Sequence, residues 1–169
     1  MEIHRFEKLW LAASLVLIVA FIGTITYGAV GPGVAMVSDS GGTVDPANPT
    51  ASENFRAPGV YETSGGEYEV YVIARQFAFE PGTTNAIEVP ADSTVTFYVT
   101  SADVQHGFNV VGTNINTMVI PGQVAQFTVQ FDEPREYGIV CHEYCGSGHH
   151  TMAANLTVVP QSEFDGGDA

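Results

Sequence analysis

The chain has 169 residues, enough for one domain and an appendage, and carries 19 acidic side chains against 5 basic ones for a net charge of −14. A nucleic-acid binder needs a basic patch, and a chain whose single lysine is Lys8 cannot build one. The acidic balance reads either as an aid to solubility or as a surface suited to strong salt, where screening hides self-repulsion.

Leu9 to Val30 is one apolar run, LWLAASLVLIVAFIGTITYGAV, with no charged residue. At helical rise it spans a bilayer. A signal peptide has a shorter apolar core and a small-residue cleavage site, so the run reads as a retained anchor. Trp10 and Tyr27 near its ends suit the membrane interface, and Arg5 and Lys8 before it place the N-terminus in the cytoplasm and the remainder outside. Residues 1–31 are therefore expected to form a tail and a single transmembrane helix.

Residues 32–66 are dense in Gly, Pro, Ser, Thr and Asn, a composition that stays irregular and buries little apolar surface. They are expected to form a linker lying over the folded domain or the membrane surface.

From residue 67 the hydrophobic period becomes two. Tyr68, Val70, Val72 and Ala74 alternate with their neighbours, as do Val95, Phe97 and Val99, then Ala125, Phe127, Val129 and Phe131. Tyr137, Ile139 and Cys141 follow, and then Leu156 and Val158. Such alternation marks half-buried strands. Turn signals separate them at Pro81-Gly82, Pro90-Ala91-Asp92, Pro121-Gly122 and Asp132-Glu133-Pro134. Short strands with regular turns over 67–169 predict an all-β sandwich or barrel.

The chemistry concentrates in one late stretch, Cys141-His142-Glu143-Tyr144-Cys145-Gly146-Ser147-Gly148-His149-His150-Thr151-Met152, which holds both cysteines of the chain. A disulfide between them would close a small ring and add little stability. Thiolate, imidazole and thioether together form a soft ligand set that suits copper better than magnesium or calcium. Gly146 and Gly148 allow the tight turning that lets Cys145 and His149 face one centre. His106, where one strand ends and the next begins, offers a second imidazole. One Cys, two His and a weak axial Met make a blue-copper site. The second thiolate adds the ability to bridge two coppers, share an added electron between them and keep bond lengths nearly constant on reduction.

The motif Cys-x-Glu-x-Cys-Gly-x-Gly-His-x-x-Met resembles the binuclear copper (CuA) motif of subunit II of haem–copper cytochrome c oxidases. The stretch from Val70 to Pro160 resembles that family's cupredoxin-like domain, a Greek-key β-sandwich or barrel. The single membrane helix and the Phe77-Ala78-Phe79 segment are most similar to the B-type oxidases. The resemblance implies that Cys141 and Cys145 bridge two copper ions, that His106 and Met152 complete one, and that His149 and the backbone carbonyl of Glu143 complete the other. It implies a magnesium ion at the interface with subunit I, held in part by the Glu143 carboxylate. It implies proton uptake at Glu7 in the setting Phe6-Glu7-Lys8-Leu9-Trp10, where the plainer reading is a solvated carboxylate near Arg5 and Lys8. Phe77 and Phe79 read either as core residues of a strand or, being two apart and so on one face, as an aromatic patch where the donor docks. The partners implied are subunit I of the oxidase and a soluble electron donor, either cytochrome c or a small blue copper protein. No Cys-x-x-Cys-His haem attachment site is present, so oxygen reduction belongs to the partner. His142 and His150 fall off the motif and read as solvent-facing. Three alternatives stand beside this reading: a membrane-anchored mononuclear cupredoxin carrier, the CuA subunit of a nitric oxide reductase, and a structural zinc site of two Cys and two His.

Overall fold

A computed structural model of the chain describes residues 4–30, 36–38 and 41–166. It divides into two compact units, residues 1–31 and 32–169. The first is the helix α1 (Arg5–Val30), 26 residues long. At about 1.5 Å per residue it outreaches the roughly 30 Å hydrocarbon core of a bilayer. Its apolar span, Arg5–Ala29, has a mean hydropathy of 2.3, and its residues are exposed along the whole length. A helix apolar on every side needs lipid or protein around it. At its start the Lys8 N–H donates to the His4 carbonyl, and the Glu7 carboxylate accepts the His4 N–H at 2.9 Å. That is the reciprocal half of a capping box, satisfying a donor the helix leaves open.

The second unit is a sandwich of two sheets. The described strands are β1 (Met36–Ser38), β2 (Gly59–Glu62), β3 (Tyr68–Arg75), β4 (Ala78–Glu80), β5 (Ile87–Pro90), β6 (Ser93–Ser101), β7 (His106–Val110), β8 (Asn116–Val119), β9 (Ala125–Phe131), β10 (Arg135–Val140) and β11 (Ala153–Val159). One sheet runs β1-β9-β6-β3-β2 with β4 added beside β3, and the other runs β5-β11-β10-β7-β8. Most neighbours are antiparallel; β3 and β6, and β5 and β11, are parallel. Every turn signal named above lies at or beyond the end of a strand.

The period-two pattern sets the register. Val95, Phe97, Val99, Phe127, Val129 and Phe131 face inward from one sheet, and Phe108, Val110, Ile139, Leu156 and Val158 from the other; together they form one buried cluster. Phe97 stacks on Phe127 with ring centres 5.0 Å apart, and Phe108 lies edge-on to Phe79 at 5.4 Å. Truncating a ring in such a core costs about 3–5 kcal/mol.

Two expectations change. The stretch 32–66 is not merely a spacer: β1 pairs with β9, β2 pairs with β3, and Val44 and Phe55 are buried. Phe55 meets Tyr71 edge-on at 5.3 Å, within a second cluster that includes Ile73 and Val124. This cover explains why β3 is buried on both faces and not on alternate residues. A few large side chains in a Gly/Pro-rich segment suffice to hold it down, which overall composition does not reveal. The second change concerns Phe79. It sits in β4 with only 1% of its surface exposed, while Phe77 lies in the turn before that strand. The two rings therefore do not share an exposed face.

Candidate metal centre

Strand ends at one edge of the sandwich bring the soft donors together. Strand β10 stops at Val140 and β11 restarts at Ala153, so residues 141–152 form the connection between two antiparallel neighbours. The Cys141 N–H donates to the Met152 carbonyl at 3.2 Å, closing that connection at its base. His106 opens β7, which pairs with β10 through Asn109 and Val140. The chain between is tightened by a short helical turn, His149–Thr151, whose His149 N–H bonds the Gly146 carbonyl at 3.0 Å. Gly146 has a φ of +130°, a conformation that L side chains rarely adopt.

All six expected ligands converge. The sulfurs of Cys141 and Cys145 lie 3.8 Å apart. His106 Nδ1 is 3.9 Å from Cys141 Sγ, and His149 Nδ1 is 3.6 Å from Cys145 Sγ. Met152 Sδ is 3.7 Å from Cys145 Sγ, and the Glu143 carbonyl oxygen 3.1 Å from Cys141 Sγ. His106, Cys141 and Cys145 are buried, with their donor atoms all within 4.8 Å of one another. Two sulfurs flanked by two imidazoles, one thioether and one carbonyl fit soft or borderline transition ions and do not fit magnesium or calcium. Burial pushes the Cys145 thiol up from 9.0 to about 11, and the neighbouring Cys141 adds to the shift. A thiol in that state needs a metal to lose its proton near neutral pH.

The supporting residues are legible only in three dimensions. Asp103 Oδ1 accepts from His106 Nε2 at 2.8 Å and from the Val104 N–H at 2.6 Å, while Oδ2 accepts the Gln76 N–H at 2.7 Å. With Nε2 as donor, the lone pair of Nδ1 faces the sulfurs, the arrangement by which outer carboxylates orient ligand imidazoles. Partial burial alone would raise the Asp103 carboxyl, but the His106 hydrogen bond and the Gln76 and Val104 amides hold it below its ordinary value. Gln76 Nε2 donates to the Cys145 carbonyl. The Gly107 N–H points at Cys141 Sγ from 3.5 Å. A carboxylate close before a ligand histidine was the one available sequence signal, at Asp103; Gln76 had none.

His142, Tyr144 and His150 are exposed, and the Tyr144 ring centre lies 5.9 Å from that of His149. Phe77 is half-buried beneath Gly146 and Gly148. Phe79, in the core, offers no surface to a docking partner.

A β-sandwich whose late loop gathers two thiols, two imidazoles and a thioether at one edge is a cupredoxin-like metal domain, joined here to a helix fit to cross a membrane. Residues 68–159 match the model of the cytochrome c oxidase subunit II periplasmic domain. Cytochrome c oxidase subunit 2 of Thermus thermophilus is 40% identical over 160 residues, covering 92% of this chain and 93% of that one. A haem–copper terminal oxidase dimer solved by electron cryo-microscopy contains a chain with a TM-score of 0.60 and 35% identity, covering 92% of this chain and all of that one. The periplasmic domain of subunit II from Bradyrhizobium japonicum shares the fold, with a TM-score of 0.53 at 21% identity. The chain belongs to the cytochrome c oxidase subunit II family. It is the subunit II of a haem–copper oxidase, and its β unit is an electron-transfer domain of the CuA type.

Proposed function

We propose that the β unit holds two copper ions bridged by Cys141 and Cys145, with His106 and Met152 completing one and His149 and the Glu143 carbonyl completing the other. The observation that carries this is the pair of buried sulfurs 3.8 Å apart with an imidazole Nδ1 beside each. A mononuclear blue-copper site would leave one sulfur without a role. Bound copper supplies a one-electron centre whose charge is shared between two metals. The protein's part is to keep the donors fixed, so that little moves when an electron arrives. Asp103 holds His106 in one tautomer, the buried Met152 packs against Cys145, and the core beneath excludes water. Glu143 gives its carbonyl to the pair, leaving its carboxylate for a magnesium ion at the subunit I interface. Metal analysis and electron paramagnetic resonance on the copper-loaded chain test the reading. Two coppers with hyperfine coupling to both nuclei are expected; one copper per chain, or zinc alone, overturns it.

Arg5 and Lys8 support a cytoplasmic N-terminus with the β unit on the outer face. There a soluble donor, cytochrome c or a small blue copper protein, delivers electrons over His149, Tyr144 and Phe77, and the electron passes to haem in subunit I. Tyr144 supports this surface, being 76% exposed beside a ligand imidazole. Reduction by the donor should slow in Tyr144→Ala; an unchanged rate at every ionic strength moves the docking surface elsewhere. Glu7 is assigned to proton uptake on the inner side. Glu7→Gln should slow oxygen consumption of the whole complex while copper reduction by the donor keeps its rate. Wild-type turnover across pH would leave Glu7 with the helix-capping role alone. Turnover with nitric oxide but not oxygen would assign the partner to the reductase class.

A further inference from the structure

Two consecutive residues outside the ligand motif grip the copper loop. The turn between β3 and β4 presents the Gln76 amide and the Phe77 ring to the segment Cys145–Gly148. Phe77 lies so close to Gly148 that a Cβ there would come within 2.4 Å of its ring. The Gln76 side chain donates through Nε2 to the Cys145 carbonyl. A carbonyl only accepts, so the amide nitrogen, not the amide oxygen, must face the loop. The backbone of Gln76 is itself held, because its N–H donates to Asp103 Oδ2 at 2.7 Å while Oδ1 of the same carboxylate takes His106 Nε2 at 2.8 Å. The path His106–Asp103–Gln76–Cys145 therefore joins a ligand on β7 to a ligand in the late loop without passing through a metal.

We propose that Gln76 is a positioning residue for the copper centre: its side-chain amide, braced by Asp103, fixes the Cys145 carbonyl and so holds the bridging sulfur at its distance from His106 before metal arrives. A second consequence is electronic. A donor on the carbonyl of a bridging cysteine draws electron density away from the site and favours the reduced form. This inference rests on the two-copper reading for its electronic half only; the positional half is measured without metal.

The test uses the full chain in detergent. Gln76→Met keeps the length and neutrality of the side chain and removes the donor. In the metal-free protein, amide hydrogen exchange at Cys145 to His149 should speed up about five- to tenfold, as expected for loss of one net hydrogen bond. The Phe97 amide in β6 serves as internal reference and should not change. In the copper-loaded protein the reduction potential should fall. Gln76→Lys restores an N–H donor and should return loop exchange to within about twofold of wild type. Wild-type loop exchange in Gln76→Met overturns the positional role, as does a rise at Phe97 equal to that in the loop. An unchanged potential in a variant with accelerated loop exchange overturns the electronic half. A chain that binds a single copper yet shows the exchange effect would refute the two-copper reading and leave the clamp standing.

Discussion

Gly148 packs directly against the ring of Phe77: a Cβ added there would meet Cδ2 at 2.4 Å, Cε2 at 2.6 Å and Cγ at 2.8 Å. The contact falls on the body of a half-buried ring, which cannot step aside without leaving the copper loop. Gly148→Ala should therefore cost about 1–3 kcal/mol, the usual range for overpacking. Gly107 gives the contrast. Its added Cβ would fall 2.2 Å from His142 Nδ1, but that imidazole is exposed and can rotate into solvent. Gly107→Ala should cost less than Gly148→Ala. Urea unfolding of both variants checks the order, and the reverse order would mean that His142 is pinned.

The cover over β3 predicts a role for residues before the expected domain start. Phe55→Ala removes a ring that is 1% exposed and packed on Tyr71, and should destabilise by about 3–5 kcal/mol. A fragment beginning at residue 67 should unfold at lower urea than one beginning at residue 41. Equal midpoints would show that the segment 41–66 contributes no stability.

Cysteine ionisation sets a pH dependence for the metal-free chain. Cys145 titrates at about 11 when folded and near 9.0 when freely solvated. Between those values the unfolded chain has lost its proton and the folded chain has kept it, so stability falls as pH rises from about 9 to about 11. Unfolding midpoints measured over that window should drop, and Cys145→Ser should flatten the profile. A rise in wild-type stability through the window would contradict the burial of this thiol. Copper uptake should release protons and tighten as pH rises toward the same value.

Charge predicts a salt effect. The arginines of the β unit are already engaged: Arg56 stands 3.7 Å over the Tyr61 ring, Arg75 is 3.7 Å from Glu80, and Arg135 is 5.2 Å from the Tyr137 ring centre. The remaining carboxylates repel one another at long range. Raising ionic strength from 0.1 M to 1 M shortens the screening length from about 10 Å to about 3 Å. The thermal midpoint should rise over that interval; a fall would mean that the few ion pairs outweigh the repulsion.

Strands β6 and β9 were legible in the sequence because large apolar side chains alternate along each, and β3 was found by the same pattern although it is buried on both faces. Strands β4, β5 and β8 were not, being three or four residues long and specified by their neighbours. The six proposed donors were legible because four side chains and a carbonyl between residues 141 and 152 fall in a recognisable spacing, with one distant histidine to complete the set. Gln76 and Asp103 escaped notice because their roles depend on three strand ends meeting in space. Of the two readings of Phe79 the core one holds; the shared docking face fails because two-apart spacing places side chains on one face only when both residues lie in the same strand, and Phe77 lies in a turn.

Lys8, in the first turn of α1, carries the single ammonium side chain of the sequence. The whole β unit is consequently silent to acylating reagents that seek lysine. A membrane-impermeant succinimidyl ester applied to sealed vesicles would mark a lysine of this chain only from the side on which the helix begins. One lysine thus makes the protein its own reporter of orientation in the bilayer, with no engineered tag and no disturbance to the copper end.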